Sequence, residues 1–196
     1  MRRILSILVL SASLAFSTSA LADTPDGFVK STHTQLTNLL RQPASPTRDD
    51  QITKAFEGIV DYSELTKRCF KEHWSSLTPA QQTEITGLVR RLVEKNYKKN
   101  LNRTLNYTIT YSGAGAQGGD TRVKTEATNN ANARETVEVD YIVAGPAGGP
   151  FKVVDIYTEN SSLTNGYYNS FHKMLTTDGQ GYPYIVKKIN EKLAQP

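Results

Sequence analysis

The chain has 196 residues, 23 Lys+Arg against 19 Asp+Glu, a net charge of +4 and a single cysteine. That mild charge excludes a dedicated nucleic-acid binder, which carries a clustered basic face. A lone Cys69 excludes an intrachain disulfide, so the fold must rest on its own core.

The N-terminus reads as an export signal. Arg2 and Arg3 precede an apolar run from Ile4 to Phe16, and Ala20-Leu21-Ala22 sets small residues where a signal peptidase cuts, after Ala22. The run is short of the roughly 20 apolar residues of a spanning helix. The expected organisation is a leader over residues 1–22 and one exported domain over 23–196.

Helices come first. Phe28, Leu36, Leu39 and Leu40 mark an amphipathic helix from Asp26 to Gln42, which Pro43 and Pro46 interrupt. Thr47 is the expected cap of a second helix with an Ile52, Phe56, Ile59, Val60 stripe. Asp61-Tyr62-Ser63 then turns or caps a short helix with Leu65 and Phe70 inward. Thr78-Pro79 opens the clearest element, where Ile85, Leu88, Val89, Leu92, Val93 and Tyr97 recur at helical spacing.

The period changes to two at about Leu101. Leu105, Tyr107, Ile109 and Tyr111 alternate with polar residues, Gly113 to Gly119 reads as a loop, and Thr121 to Thr128 reads as an edge strand. Val137, Val139, Tyr141 and Val143 mark a third strand and Phe151 to Tyr157 a fourth. Two helices, from about 164 to 176 and 184 to 193, end the chain. Short connections between successive strands imply an antiparallel meander. The expected fold class is α+β: a four-stranded twisted antiparallel sheet packed on one face by helices. Helices across a concave sheet can close a solid core or leave a cavity, and periodicity leaves both open.

Chemistry is sparse. No G-x-S-x-G, P-loop or G-x-G-x-x-G is present. Cys69 and His73 share a helix face as a conceivable thiolate pair or half metal site, against the plainer reading of a buried thiol beside a surface imidazole. Asp140 and Asp155 lie on neighbouring strands as a carboxylate pair, or as outward charges or loop hydrogen-bond partners. The basic doublets Arg90-Arg91, Lys98-Lys99 and Lys187-Lys188 suit solvated helix faces, or an anionic headgroup or partner.

Three stretches in order and register carry a resemblance. Trp74-Ser75-Ser76-Leu77-Thr78-Pro79-Ala80-Gln81 resembles the W-x-x-L-[ST]-P-x-Q run of MlaC-type proteins, the periplasmic phospholipid carriers also called toluene-tolerance or ABC-transporter auxiliary components. Phe151-Lys152-Val153-Val154-Asp155-Ile156 resembles their W-K-V-x-D-[VI] strand. Ser162-Leu163-Thr164-Asn165-Gly166-Tyr167 with Phe171 resembles their S-L-x-x-x-Y-x-x-x-F corner. Departures are Phe151 for tryptophan, Ser161 for glycine and Tyr168 for arginine.

The resemblance implies a monomeric periplasmic carrier, not an enzyme, with phospholipid as cargo and no cofactor. It implies a pocket between sheet and helices. It also implies partners: an outer-membrane lipoprotein/porin complex and an inner-membrane ABC transporter with its substrate-binding ring, which together maintain outer-membrane lipid asymmetry. Strand faces and helix stripes then nominate lipid-binding residues. These are Leu88, Leu92 and Tyr97; Leu105, Tyr107 and Ile109; Val137, Val139 and Tyr141; Val154 and Ile156; and Leu163, Tyr167 and Phe171. No catalytic or metal-ligating residue is nominated. Rival readings are a carrier of a sterol or hopanoid, a small isomerase or hydratase on a cone-shaped α+β fold, and an interaction module with a solid core.

Overall fold

The computed structural model describes residues 24–195, so the expected leader and its cut after Ala22 lie outside the described residues. Among the described residues, no helix is long and apolar enough to cross a membrane.

Helix α1 (Pro25–Leu40) starts on Thr24, whose hydroxyl accepts from the Gly27 N–H at 3.3 Å. Helix α2 (Pro46–Ile59) starts earlier than expected. Ser45 rather than Thr47 is its cap, accepting from the Arg48 N–H at 3.1 Å, and Pro46 takes the first helical position, where its missing N–H costs nothing. Asp61 caps α3 (Tyr62–Phe70), and a 3-10 helix follows over Lys71–Ser76. Thr78 and Gln81 exchange hydrogen bonds of 2.9 and 3.3 Å at the head of α4 (Pro79–Leu101), a reciprocal capping box. Its inner stripe, Ile85, Leu88, Val89 and Leu92, is buried. A second 3-10 helix, Asn102–Asn106, leads into the sheet.

The sheet has five antiparallel strands, not four, in the order β1 (Tyr107–Gln117), β2 (Asp120–Asn129), β3 (Asn132–Ala144), β4 (Lys152–Thr158), β5 (Ser161–Ser162). A two-residue strand shows no alternation, so β5 has no signature in the sequence. The expected loop over Gly113 to Gly119 is mostly strand. β1 passes a bulge between Tyr111 and Gly113 and continues to Gln117, and Gly118-Gly119 alone turn, at φ +59° and +91°. Positive φ at both central residues is the hairpin turn that glycine favours. β2 is no edge strand, for it pairs with β1 and β3. Its weak alternation reflects the small or polar Thr125 and Ala127 beside Val123 among its buried residues.

Helices α5 (Leu163–Thr176) and α6 (Tyr182–Ala194) complete the chain. The main core lies among the helices, with Val153 joining from the sheet. A smaller cluster seats Val29 at the start of α1 on Val123, Val143 and Phe151, with Phe28 and Phe151 rings 6.1 Å apart. The first turns of α1 therefore touch the sheet, and this anchor sets where the rest of the helix can run.

Asp140 and Asp155 are buried, 5% and 4% exposed, and are structural partners rather than outward charges. Asp140 accepts from Arg122 Nε at 2.6 Å and from the Thr125 N–H at 3.1 Å. Asp155 accepts from Ser162 Oγ at 2.6 Å, the Thr164 N–H at 3.0 Å and Thr164 Oγ1 at 2.9 Å. The second set ties β4 to the head of α5.

Candidate functional site

Two cavities adjoin. The first, about 430 Å³, lies between the sheet, α1 and the 3-10 helix before β1. Leu36 and Leu40 line it from α1. Leu105, Tyr107, Ile109, Ala127, Val137, Val139 and Tyr141 line it from the far side. The second, about 710 Å³, lies between α4, α5, α6 and the end of β4, with Leu92, Val93, Leu163, Tyr167, Phe171, Met174 and Ile189 among its walls. Both volumes fall within the roughly 300–1,000 Å³ of small-molecule sites. Tyr97, Ile156 and Thr158 border both, so the two share a wall. The Tyr97 ring packs edge-on against Phe56 at 4.3 Å, and burial pushes its hydroxyl up to about 12. An apolar aromatic body with a hydroxyl tip suits such a partition.

Twelve of the fourteen nominated residues border one cavity or the other; Leu88 and Val154 border neither. Leu88 sits one turn before Leu92 on α4 and is packed into the helical core. Val154 is displaced by a bulge. Tyr141 pairs with Ile156, but Val143 pairs with Val153, so two residues of β3 span three of β4. The extra residue shifts the alternation, and Val153 rather than Val154 packs against the helices.

Sequence reasoning missed α1 as a wall. His33, Leu36, Thr37, Leu40 and Arg41 face the first cavity. Their spacing is that of any amphipathic helix, and nothing in it distinguishes a cavity from a packed interface. Of the cationic rim residues, sequence reasoning singled out only Lys188, in the Lys187-Lys188 doublet. Exposed Arg41 and Arg103 border the first cavity, and Lys188 and Lys192 border the second.

His33 is the most unusual group on these walls. Its Nδ1 lies 2.7 Å from Tyr111 Oη and its Nε2 2.9 Å from Tyr141 Oη. Burial pushes its pKa down to about 4, so the ring is neutral at pH 7. A neutral imidazole has one N–H and one lone pair. One tyrosine therefore donates to it and the other accepts from it. The accepting tyrosine keeps a hydroxyl proton of its own, and of the two only Tyr141 lines the cavity.

Proton-transfer chemistry is poorly served here. With both nitrogens engaged, His33 has no free lone pair for a ligand proton. Among the described residues lining the two cavities there is no Asp, Glu or Cys. Cys69 is fully buried in α3, and burial pushes its thiol up to about 12. It forms no pair with His73, whose ring meets His172 instead. The arrangement is built to hold an apolar molecule with a few polar atoms.

The family described as MlaC protein matches residues 30–191 of the chain. Among solved structures, the phospholipid-binding protein from Ralstonia solanacearum, determined in complex with a phospholipid, superposes with a TM-score of 0.74. It is 24% identical, and the match covers 87% of this chain and 97% of that one. At that identity the likeness shows a common fold. No curated protein matches the chain.

Proposed function

From the premise that this chain belongs to the MlaC protein family, we propose that it is a periplasmic carrier of glycerophospholipid, exported by the leader that ends at Ala22. It takes lipid between an outer-membrane lipoprotein/porin complex and an inner-membrane ABC transporter with its substrate-binding ring, and so helps maintain outer-membrane lipid asymmetry. The observation that carries this reading is the pair of apolar cavities sharing one wall at Tyr97, Ile156 and Thr158, each with a cationic rim. A diacyl lipid has two tails and one anionic headgroup. One tail in each cavity brings the headgroup near a rim, beside Arg41 and Arg103 or beside Lys188 and Lys192. The Ralstonia relative, solved with a phospholipid bound, supports the same ligand class.

The energetics fit a carrier that selects tails and tolerates headgroups. A buried methylene is worth about 0.8 kcal/mol, so a sixteen-carbon tail is worth on the order of 12 kcal/mol. An exposed ion pair at a rim adds only about 0–1 kcal/mol. Headgroup identity therefore changes affinity little, whereas loss of a tail changes it greatly.

The test is mass spectrometry of an organic extract of the natively purified chain. Glycerophospholipid with two acyl tails, near one per chain, is the expected result. An empty extract, or a sterol or hopanoid in its place, overturns the proposal.

A further inference from the structure

Away from both cavities, three side chains bring one ligand atom each within 4.8 Å of one another. Nε2 of His73 lies 2.8 Å from Nδ1 of His172. Oε1 of Glu72 lies 3.6 Å from the first and 3.7 Å from the second. A point equidistant from the three atoms is about 2.0 Å from each, which is the length of a Zn–N or Zn–O bond, about 2.0–2.2 Å. Two imidazoles and one carboxylate with an open side are a donor set that zinc and its first-row neighbours favour. We infer that Glu72, His73 and His172 bind one divalent transition-metal ion of the Zn²⁺ class.

The site is held by the core rather than by its own side chains. Phe70, two residues before Glu72, and Phe171, immediately before His172, are buried and pack as tilted rings with centroids 5.0 Å apart. This contact fixes the end of α3 against α5. Between Phe70 and Glu72, Lys71 adopts φ +46°, ψ −121°, a backbone region that side-chain-bearing residues avoid. It turns the chain so that Glu72 and His73, on the 3-10 helix, face α5.

Tyr168 completes the surroundings. Its hydroxyl donates to Glu72 Oε1 at 2.6 Å and lies 3.5 Å from His172 Nδ1. It orients the carboxylate in the manner of an outer-shell partner. The Lys71 ammonium, 4.1 Å from the centre of the Tyr168 ring, is the neighbouring positive charge that a bound cation must tolerate.

Without metal, nitrogens 2.8 Å apart need a single proton shared between them as N–H···N. A metal ion takes that proton's place. His73 and His172 are half-exposed, with side chains 23% and 44% accessible, so an ion can reach them from solvent. Bound there, it cross-links the outer face of α5 to the turn after α3, while the inner face of α5 carries Leu163, Tyr167 and Phe171 toward the second cavity. The ion would stiffen that wall from outside without touching the cavity.

The test uses the mature chain without a histidine tag, stripped with a chelator. Calorimetric titration with ZnCl₂ should show one ion per chain, CoCl₂ should give the visible d–d bands of a low-coordinate N/O site, and either ion should raise Tm. Losing an outer-shell partner lowers metal affinity about 10–100-fold, so losing a ligand in His73→Ala or His172→Ala should cost about 100-fold or more. Metal-free melts show whether each variant folds as the parent does. Absence of stoichiometric uptake by the parent chain overturns the inference. So does undiminished affinity in the folded double variant His73→Ala/His172→Ala. Should either variant fail to fold, the parent's Co²⁺ spectrum decides alone, and absence of d–d bands overturns the inference.

Discussion

Nε2 of His33 lies 2.9 Å from the hydroxyl of Tyr141, at the wall of the first cavity, with Tyr111 on its other nitrogen. Helix α1 and strands β1 and β3 are thereby joined through one neutral ring. That ring gives the fold a pH dependence. Its pKa is about 4 in the folded chain and 6.5 for the free group, so between those values the unfolded chain binds a proton that the folded chain does not. Stability must then fall as pH drops through this window. The penalty approaches about 3 kcal/mol at pH 4. Urea unfolding of the lipid-free chain from pH 7 to pH 4 should show this loss, and His33→Gln should remove it. Parallel pH profiles for the two proteins would refute the assignment.

Val139 points its side chain into the first cavity from β3. Val139→Glu places a carboxylate where an acyl tail is proposed to lie, and burying an unpaired ion costs several kcal/mol. At 1.4 kcal/mol per tenfold, lipid affinity should drop by about 10³-fold or more. The purified variant should keep the parent's circular dichroism and lose its co-purifying phospholipid. Unchanged lipid in the extract would count against the cavity as the binding site.

Asp155 holds the β4–α5 corner through Ser162 and Thr164. Asp155→Ala leaves the buried Thr164 N–H and hydroxyl short of a partner, at about 1–3 kcal/mol each. The midpoint of denaturant unfolding should fall by the equivalent of about 3 kcal/mol. Because Ser162 and Leu163 line the second cavity, bound lipid should decline as well. Asp155→Asn keeps one acceptor oxygen and should lose about half as much. Equal stability of the parent and Asp155→Ala would show the corner is held by other contacts.

Cys69 is 0% exposed, with its thiol pushed up to about 12 by burial, and is chemically silent. A thiol reagent at pH 8 should label the native chain far more slowly than the chain in denaturant, by about the folding equilibrium constant. Rapid labelling of the native chain would revive a reactive thiol.

Local patterns carried the elements, and non-local packing carried the site. Alternation placed Tyr107, Ile109, Val137, Val139 and Tyr141 on cavity-facing strand positions, because the two-residue period of a strand is written in consecutive residues. The α4 stripe was equally plain, and Leu92 and Tyr97 reach cavities from it while Leu88 stops in the core. The Val153–Val154 slip was hidden because a bulge depends on how β4 registers on β3, not on the composition of β4. The continuation of β1 past Gly113 was hidden for the same reason, since backbone pairing needs no apolar side chain.

By itself the amino-acid order determined a helical, then stranded, then helical domain, the apolar face of each main element, and its likeness to a lipid-carrier family. Only the tertiary structure decided that those faces stand apart. Phe28 and Val29 seat the start of α1 on Val123, Val143 and Phe151, while His33, Leu36, Thr37, Leu40 and Arg41 line the first cavity. Likewise, only chain folding brought Glu72 and His73 within reach of His172, 99 residues beyond His73. Periodicity records which side of an element avoids water. The distance to the element opposite is set by contacts between residues far apart in the chain, and no local period encodes it.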